Sequence, residues 1–131
     1  MAVPKTSLSA GAIIRAVLLE DPDVASRTNK IFPVATDCAE LPYIVYRRAS
    51  LQPTPQKSGS PGADEIHMEL TCYTERYSDG VELAEAVRAA LDQVETAEHD
   101  GMVMRSCYLA DSAEDYQDDA FIQQLVFSAR M

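Results

Sequence analysis

EIHMELTCYTERYSDGVELAEAVRAAL, residues 65–91, changes its period partway along. From Glu65 to Glu75 apolar and polar residues alternate. Ile66, Met68, Leu70 and Cys72 fall on one side, and Glu65, His67, Glu69, Thr71, Tyr73 and Glu75 on the other. Successive side chains of an extended chain point to opposite faces, so this is a strand with one buried face. From Asp79 the apolar spacing becomes three and four. Leu83, Val87, Ala90, Leu91 and Val94 form a stripe, while Glu82, Glu85, Arg88, Asp92 and Glu95 form a wet face. The spacing predicts a helix over 79–95. Ser78 or Asp79 is the expected N-cap, with Glu82 closing a capping box from Asp79. A strand and a helix that are each apolar on one side call for a helix layer against one face of a sheet.

Toward the N-terminus, YIVYRRASL (43–51) reads as a second strand. Tyr43, Val45, Arg47, Ala49 and Leu51 share one face, with Ile44, Tyr46 and Arg48 on the other. IFPV (31–34) reads as a short edge segment, because Pro33 cannot donate to a ladder on both sides. SLSAGAIIRAVLLE (7–20) reads as a helix with Ser7 as N-cap and Ala10, Ile13, Ile14, Val17 and Leu18 on its apolar face. Leu8, Ala12 and Leu19 fall on the opposite face beside Arg15. A helix apolar on two sides tends to be covered on two sides. Leu8 and Leu19 are therefore candidates for a contact between subunits, the plainer reading being an exposed leucine.

Toward the C-terminus, MVMRSCYLA (102–110) and AFIQQLVFSAR (120–130) read as strands, and DSAEDYQDD (111–119) as an acidic loop between them. His99, in EHDG, reads as a turn residue. The order α-β-β-β-α-β-β predicts an α+β fold over residues 1–131 as a single domain. Its sheet is largely antiparallel, with both helices on one face.

Between the two central strands lies QPTPQKSGSPGAD (52–64), thirteen residues where a hairpin needs about two to five. Its prolines and glycines make regular structure improbable. The polar groups of Gln52, Thr54, Gln56, Lys57, Ser58, Ser60 and Asp64 suit a flexible segment that docks on a partner. The competing reading is an idle insertion, because the cost of closing a loop grows only slowly with length.

Composition narrows the function. Apolar residues are 47% of the chain, which argues against disorder. No stretch reaches the roughly 18 apolar residues that span a bilayer. The N-terminal apolar segment is broken by Arg15 and followed by acids, which argues against a secretory signal and for the cytosol. Cys38, Cys72 and Cys107 are far apart and only two histidines accompany them, so buried reduced thiols are expected rather than a zinc site or disulfide. The net charge is −10. Residues 1–63 carry seven basic and five acidic side chains, and residues 64–131 four and sixteen. That is a poor footprint for gripping phosphates. It suits a soluble surface, or head-to-tail stacking of copies through unlike ends.

The sequence holds no nucleophile elbow, phosphate loop, dinucleotide fingerprint or HExxH pair. His67 beside Glu69 and Tyr73 reads as part of a solvated strand face. The carboxylate pairs Glu114–Asp115 and Asp118–Asp119 lack the spacing of a calcium loop. No catalytic, cofactor-binding or metal-ligating residue is assigned. Asp111, Glu114, Asp115, Asp118 and Asp119 are instead candidates for an assembly surface.

Taken in order, IIRAVLLEDPDV, RTNKIFPV, LPYIVYRRAS, CYTERYSDGVELAEAVRAAL and FIQQLVFSA resemble the tail completion (tail terminator, head–tail joining) proteins of long-tailed bacteriophages and prophages. The likeness spans about residues 8–129. It implies a structural, non-catalytic virion protein without cofactor, assembled in the host cytoplasm. It also implies a ring, typically hexameric, at the head-proximal end of the tail. That ring would touch the tail tube protein and the head connector and pass DNA through its lumen unbound, although the free chain can be monomeric. The order of elements alone also fits a small ferredoxin-like regulatory or ligand-binding domain.

Overall fold

A computed structural model describes residues 5–35, 40–53 and 64–131. After a 3-10 turn at Ser7–Ser9, the chain runs α1 (Ala10–Glu20), α2 (Pro22–Ala25), β1 (Ile31–Pro33), β2 (Tyr43–Gln52), β3 (Glu65–Thr74), α3 (Tyr77–Leu91), β4 (Ala97–His99), β5 (Met102–Met104), β6 (Ser106–Gln117) and β7 (Ala120–Arg130). Five strands form one sheet in the order β1-β2-β3-β7-β6. All its pairings are antiparallel except β1 with β2. The α+β reading holds, with β3 at the centre and α1 and α3 against one face.

The alternation of β3 is the reason. Ile66, Met68, Leu70 and Cys72 are all buried, while the residues between them are partly exposed. Across the ladder Met68 sits opposite Phe127, and Leu70 opposite Leu125. Ile13, Ile14 and Leu18 of α1, with Leu83, Val87 and Leu91 of α3, close the core. Removing side chains of this size from water contributes roughly 1.5–3 kcal/mol each.

Several expectations are corrected. A β-bulge between Arg48 and Ser50 shifts the register, so Leu51 lies opposite Ile66 on the helix face rather than beside Tyr43 and Val45. Helix α3 starts at Tyr77 with Arg76 as N-cap and no side-chain cap bond, so neither Ser78 nor Asp79 caps it. It stops at Leu91, because Asp92 is extended and Gln93 has a φ of 65°. Ser7 is not the cap of α1 either. Thr6 caps the 3-10 turn, and the Ser7 hydroxyl donates to the Asp64 carboxylate.

The strand expected over 102–110 is two elements. β5 pairs with β4 in a separate hairpin whose turn, Asp100–Gly101, has positive φ at both residues. Met102 and Met104 drop from it into the core. His99 thus ends a strand rather than lying in the turn. Finally, 111–119 is not a loop. Asp111–Gln117 continue β6, paired with β7 as far as Gln117 opposite Ala120. Only Asp118 and Asp119 form the turn, at φ 52° and 63°. Acidic residues disfavour strands in general. Here water reaches both faces of an outermost strand, so the carboxylates stay solvated and keep the edge from recruiting other strands.

Candidate assembly surfaces

The acidic residues of the β6–β7 hairpin are brought to one edge of the sheet but not to one point. Pleating sends Asp111 and Asp115 to the face away from the helices, opposite Val126 and Ile122. Glu114 goes to the helix face, opposite Gln123. Asp111 accepts a hydrogen bond from the Ser112 N–H and Asp115 from the Tyr116 N–H, each at 2.8 Å. These carboxylates occupy donors that an added strand would need. Glu114 accepts from Gln123 Nε2 at 2.8 Å and from the Tyr77 hydroxyl at 2.9 Å. Those two donors hold its carboxyl below the usual range, and the same bond pushes the Tyr77 hydroxyl up.

Aromatic rings sit among these acids. Phe121 lies 4.7 Å from Tyr116 and 5.9 Å, edge-on, from Tyr77. Tyr116 and Tyr77 are 53% and 49% exposed, which marks them as an apolar patch facing water. The Tyr116 hydroxyl donates to Asp119 at 3.3 Å, tying strand to turn.

The opposite edge carries α1 and β2. Leu8 is 63% exposed, and Arg48 Nη1 donates to its carbonyl oxygen at 2.6 Å. Leu19 differs: it is half-buried and packs on the core together with Ala12. Arg15 Nε donates to the Ile31 carbonyl at 3.3 Å. Ala12, Arg15, Leu19, Tyr46 and His99 line a shallow groove on this side.

The long segment between β2 and β3 is described only at its ends. Gln52 closes β2 opposite Glu65 and is exposed. Asp64 exchanges two main-chain hydrogen bonds of 3.1 Å with Met131. That pairing and the Ser7 bond anchor Asp64 to the body of the fold. Thr54, Gln56, Lys57, Ser58 and Ser60 lie outside the described residues.

Sequence reasoning missed one polar chain. Ser50 and His67 are cross-strand neighbours, with Oγ 3.2 Å from Nδ1, and His67 Nε2 lies 3.4 Å from Glu65 Oε1. The order matches a serine–histidine–acid relay, and only the shifted register of β2 puts Ser50 there. The histidine is 40% exposed, and among the described residues no enclosed cleft of the kind in which such a relay works surrounds it. A small cleft does exist between α2, α3 and the start of β2, lined by Arg27, Leu41, Pro42, Thr74, Asp79 and Leu83. Its volume of about 260 Å³ is below the roughly 300–1,000 Å³ of small-molecule sites.

Cys72 and Cys107 are buried free thiols. Burial pushes both up to about 12, with the Asp92 charge adding to the effect at Cys107. Neither is a nucleophile at neutral pH. Cys38 lies outside the described residues. Among the described residues no three His, Cys, Asp or Glu side chains converge as a metal site.

Residues 12–131 match the family model of tail completion protein gp17. The chain belongs to this family of phage tail completion proteins. The match begins within α1, after Leu8, and takes in β2 and the whole β6 edge. Among solved structures, the fold is similar to a chain in the virion of a native gene transfer agent particle, with a TM-score of 0.77 and 17% identity. That likeness covers 95% of this chain and 98% of the other. A second solved chain matches with a TM-score of 0.53 and 16% identity, over 92% of this chain and 96% of its own length. No curated protein matches. The family gives the chain a structural role in the phage tail.

Proposed function

We propose that this chain assembles as a ring, of about six copies by family resemblance, at the head-proximal end of the tail. There it ends growth of the tail tube and joins the tube to the head connector. The observation that carries this reading is the family match over residues 12–131. The open acidic edge supports it, since a surface rich in carboxylates lets DNA pass without holding it. The polar segment 52–64 docks on a neighbour above or below. The protein acts in the particle and is assembled in the host cytoplasm.

The test is a complementation assay with a chain whose residues 53–63 are shortened to a two-residue turn, leaving Gln52 and Asp64 in place. The expected result is a folded protein that fails to attach heads to tails. Normal attachment by the shortened chain would assign the segment no role in joining.

A further inference from the structure

The two lateral edges of the sheet are unlike in a matched way. β2 carries Arg48 on the helix face, near Arg15 of α1, and Arg47 on the other face, where it pairs with Glu69 of β3 at 2.6 Å; β1 and β2 themselves carry no acidic residue. β6 and its turn carry Asp111, Glu114, Asp115, Asp118 and Asp119 and no basic residue. Each edge also exposes large apolar groups: Leu8 on the first, Tyr116 and Tyr77 on the second. Sheet order puts the two at opposite ends of five strands, about 20 Å apart at the usual strand spacing.

We propose that these edges are the two halves of one contact between copies of this chain: the acidic, tyrosine-bearing β6 edge of one copy docks on the arginine-bearing α1–β2 edge of the next. The inference deepens the ring reading and rests on it. An exposed aromatic group among carboxylates fits an arginine surface, because a guanidinium can pair with the acid and lie over the ring. Side chains make the contact rather than a continuous sheet, since Asp111 and Asp115 already occupy the Ser112 and Tyr116 donors. Two different patches at opposite ends give a head-to-tail contact that repeats from copy to copy, the kind of contact from which a closed ring is built when the rotation between copies divides a full turn. Contact through unlike charges weakens with added salt.

The test uses two full-length variants checked for native circular dichroism. One carries Leu8→Asp with Arg48→Glu and keeps only the β6 edge. The other carries Asp111→Lys with Asp115→Lys and keeps only the α1–β2 edge. Asp111→Asn with Asp115→Asn serves if the lysines disturb the strand. Self-association is followed by sedimentation up to millimolar concentration, and on purified tail tubes by electron microscopy. Each variant alone is expected to associate at least about tenfold more weakly than the unaltered chain. Mixed one to one, they should associate again, since an intact acidic edge meets an intact arginine edge and the two reversed edges are also of unlike charge. Variants that form rings as the unaltered chain does would overturn the contact while leaving the ring reading intact. So would a mixture that fails to pair while the unaltered chain associates. Absence of rings from the unaltered chain in solution and on tubes would overturn both.

Discussion

Arg48 in β2 holds the main-chain carbonyl of Leu8, 40 residues earlier, at 2.6 Å. The bond fixes the turn before α1 on the sheet edge and leaves the Leu8 side chain pointing into water. Leu8 and Leu19 therefore part company, although the sequence placed them on one helix face.

Leu8→Asp should change the unfolding free energy by less than about 0.5 kcal/mol, as exposed substitutions usually do. Leu19→Asp, which puts a carboxylate against the core, should cost about 1–3 kcal/mol. Urea denaturation of both variants measures the difference. Equal loss from the two would mean that Leu8 is a packing residue.

Gly80 is a tight spot under α3. A Cβ there would stand 2.8 Å from Thr74 Oγ1, which is buried and already donates to the Arg76 carbonyl at 2.9 Å. Gly80→Ala should destabilise the chain by about 1–3 kcal/mol, despite the better helix propensity of alanine. Thermal unfolding followed by circular dichroism reads this directly.

Asp92 caps the junction between α3 and β6. It accepts from the Leu109 N–H at 2.9 Å and pairs with Arg88 at 3.2 Å. The Leu109 donor, then Arg88, hold its carboxyl below the ordinary 3.8. A depressed folded value means that its contribution is full above 3.8 and fades as acid titrates the folded group. Asp92→Asn should thus cost about 1 kcal/mol at pH 7, with the gap to the unaltered chain closing below pH 3.8. Denaturation curves across pH 2–7 test the sign.

The turn at Asp118 and Asp119 holds two side-chain-bearing residues at positive φ. Asp118→Asn with Asp119→Gly should stabilise the hairpin by up to about 1 kcal/mol, because Asn-Gly suits this turn. A lower denaturation midpoint would mean that the two carboxylates carry interactions worth more than the backbone strain.

Much of the fold was legible from period alone. β3 and α3 announce themselves because each meets the core on one face, so solvent and core sort their residues. The extension of β6 through DSAEDYQDD was not legible. An outermost strand wet on both faces has no apolar side to betray it, and its acids read as a loop. Asp100–Gly101 was a readable hairpin turn. It was masked by the helix pattern running through Val94, whose backbone bonds Cys107 in a bridge instead. The register shift at Ala49, which moves Leu51 to the core and Ser50 beside His67, comes from strand pairing rather than from the local sequence.

Of the candidate assembly surface, the charge asymmetry was visible as counts along the chain. Its arrangement on two opposite edges was not, since that depends on β7 inserting between β3 and β6.

Whether this chain closes the head-proximal end of a phage tail is decided by electron microscopy of purified tail tubes incubated with the protein. A ring should cap one end of each tube, and capped tubes should attach heads. Bare tube ends at saturating protein, or tubes that attach heads equally well without it, would rule the capping role out.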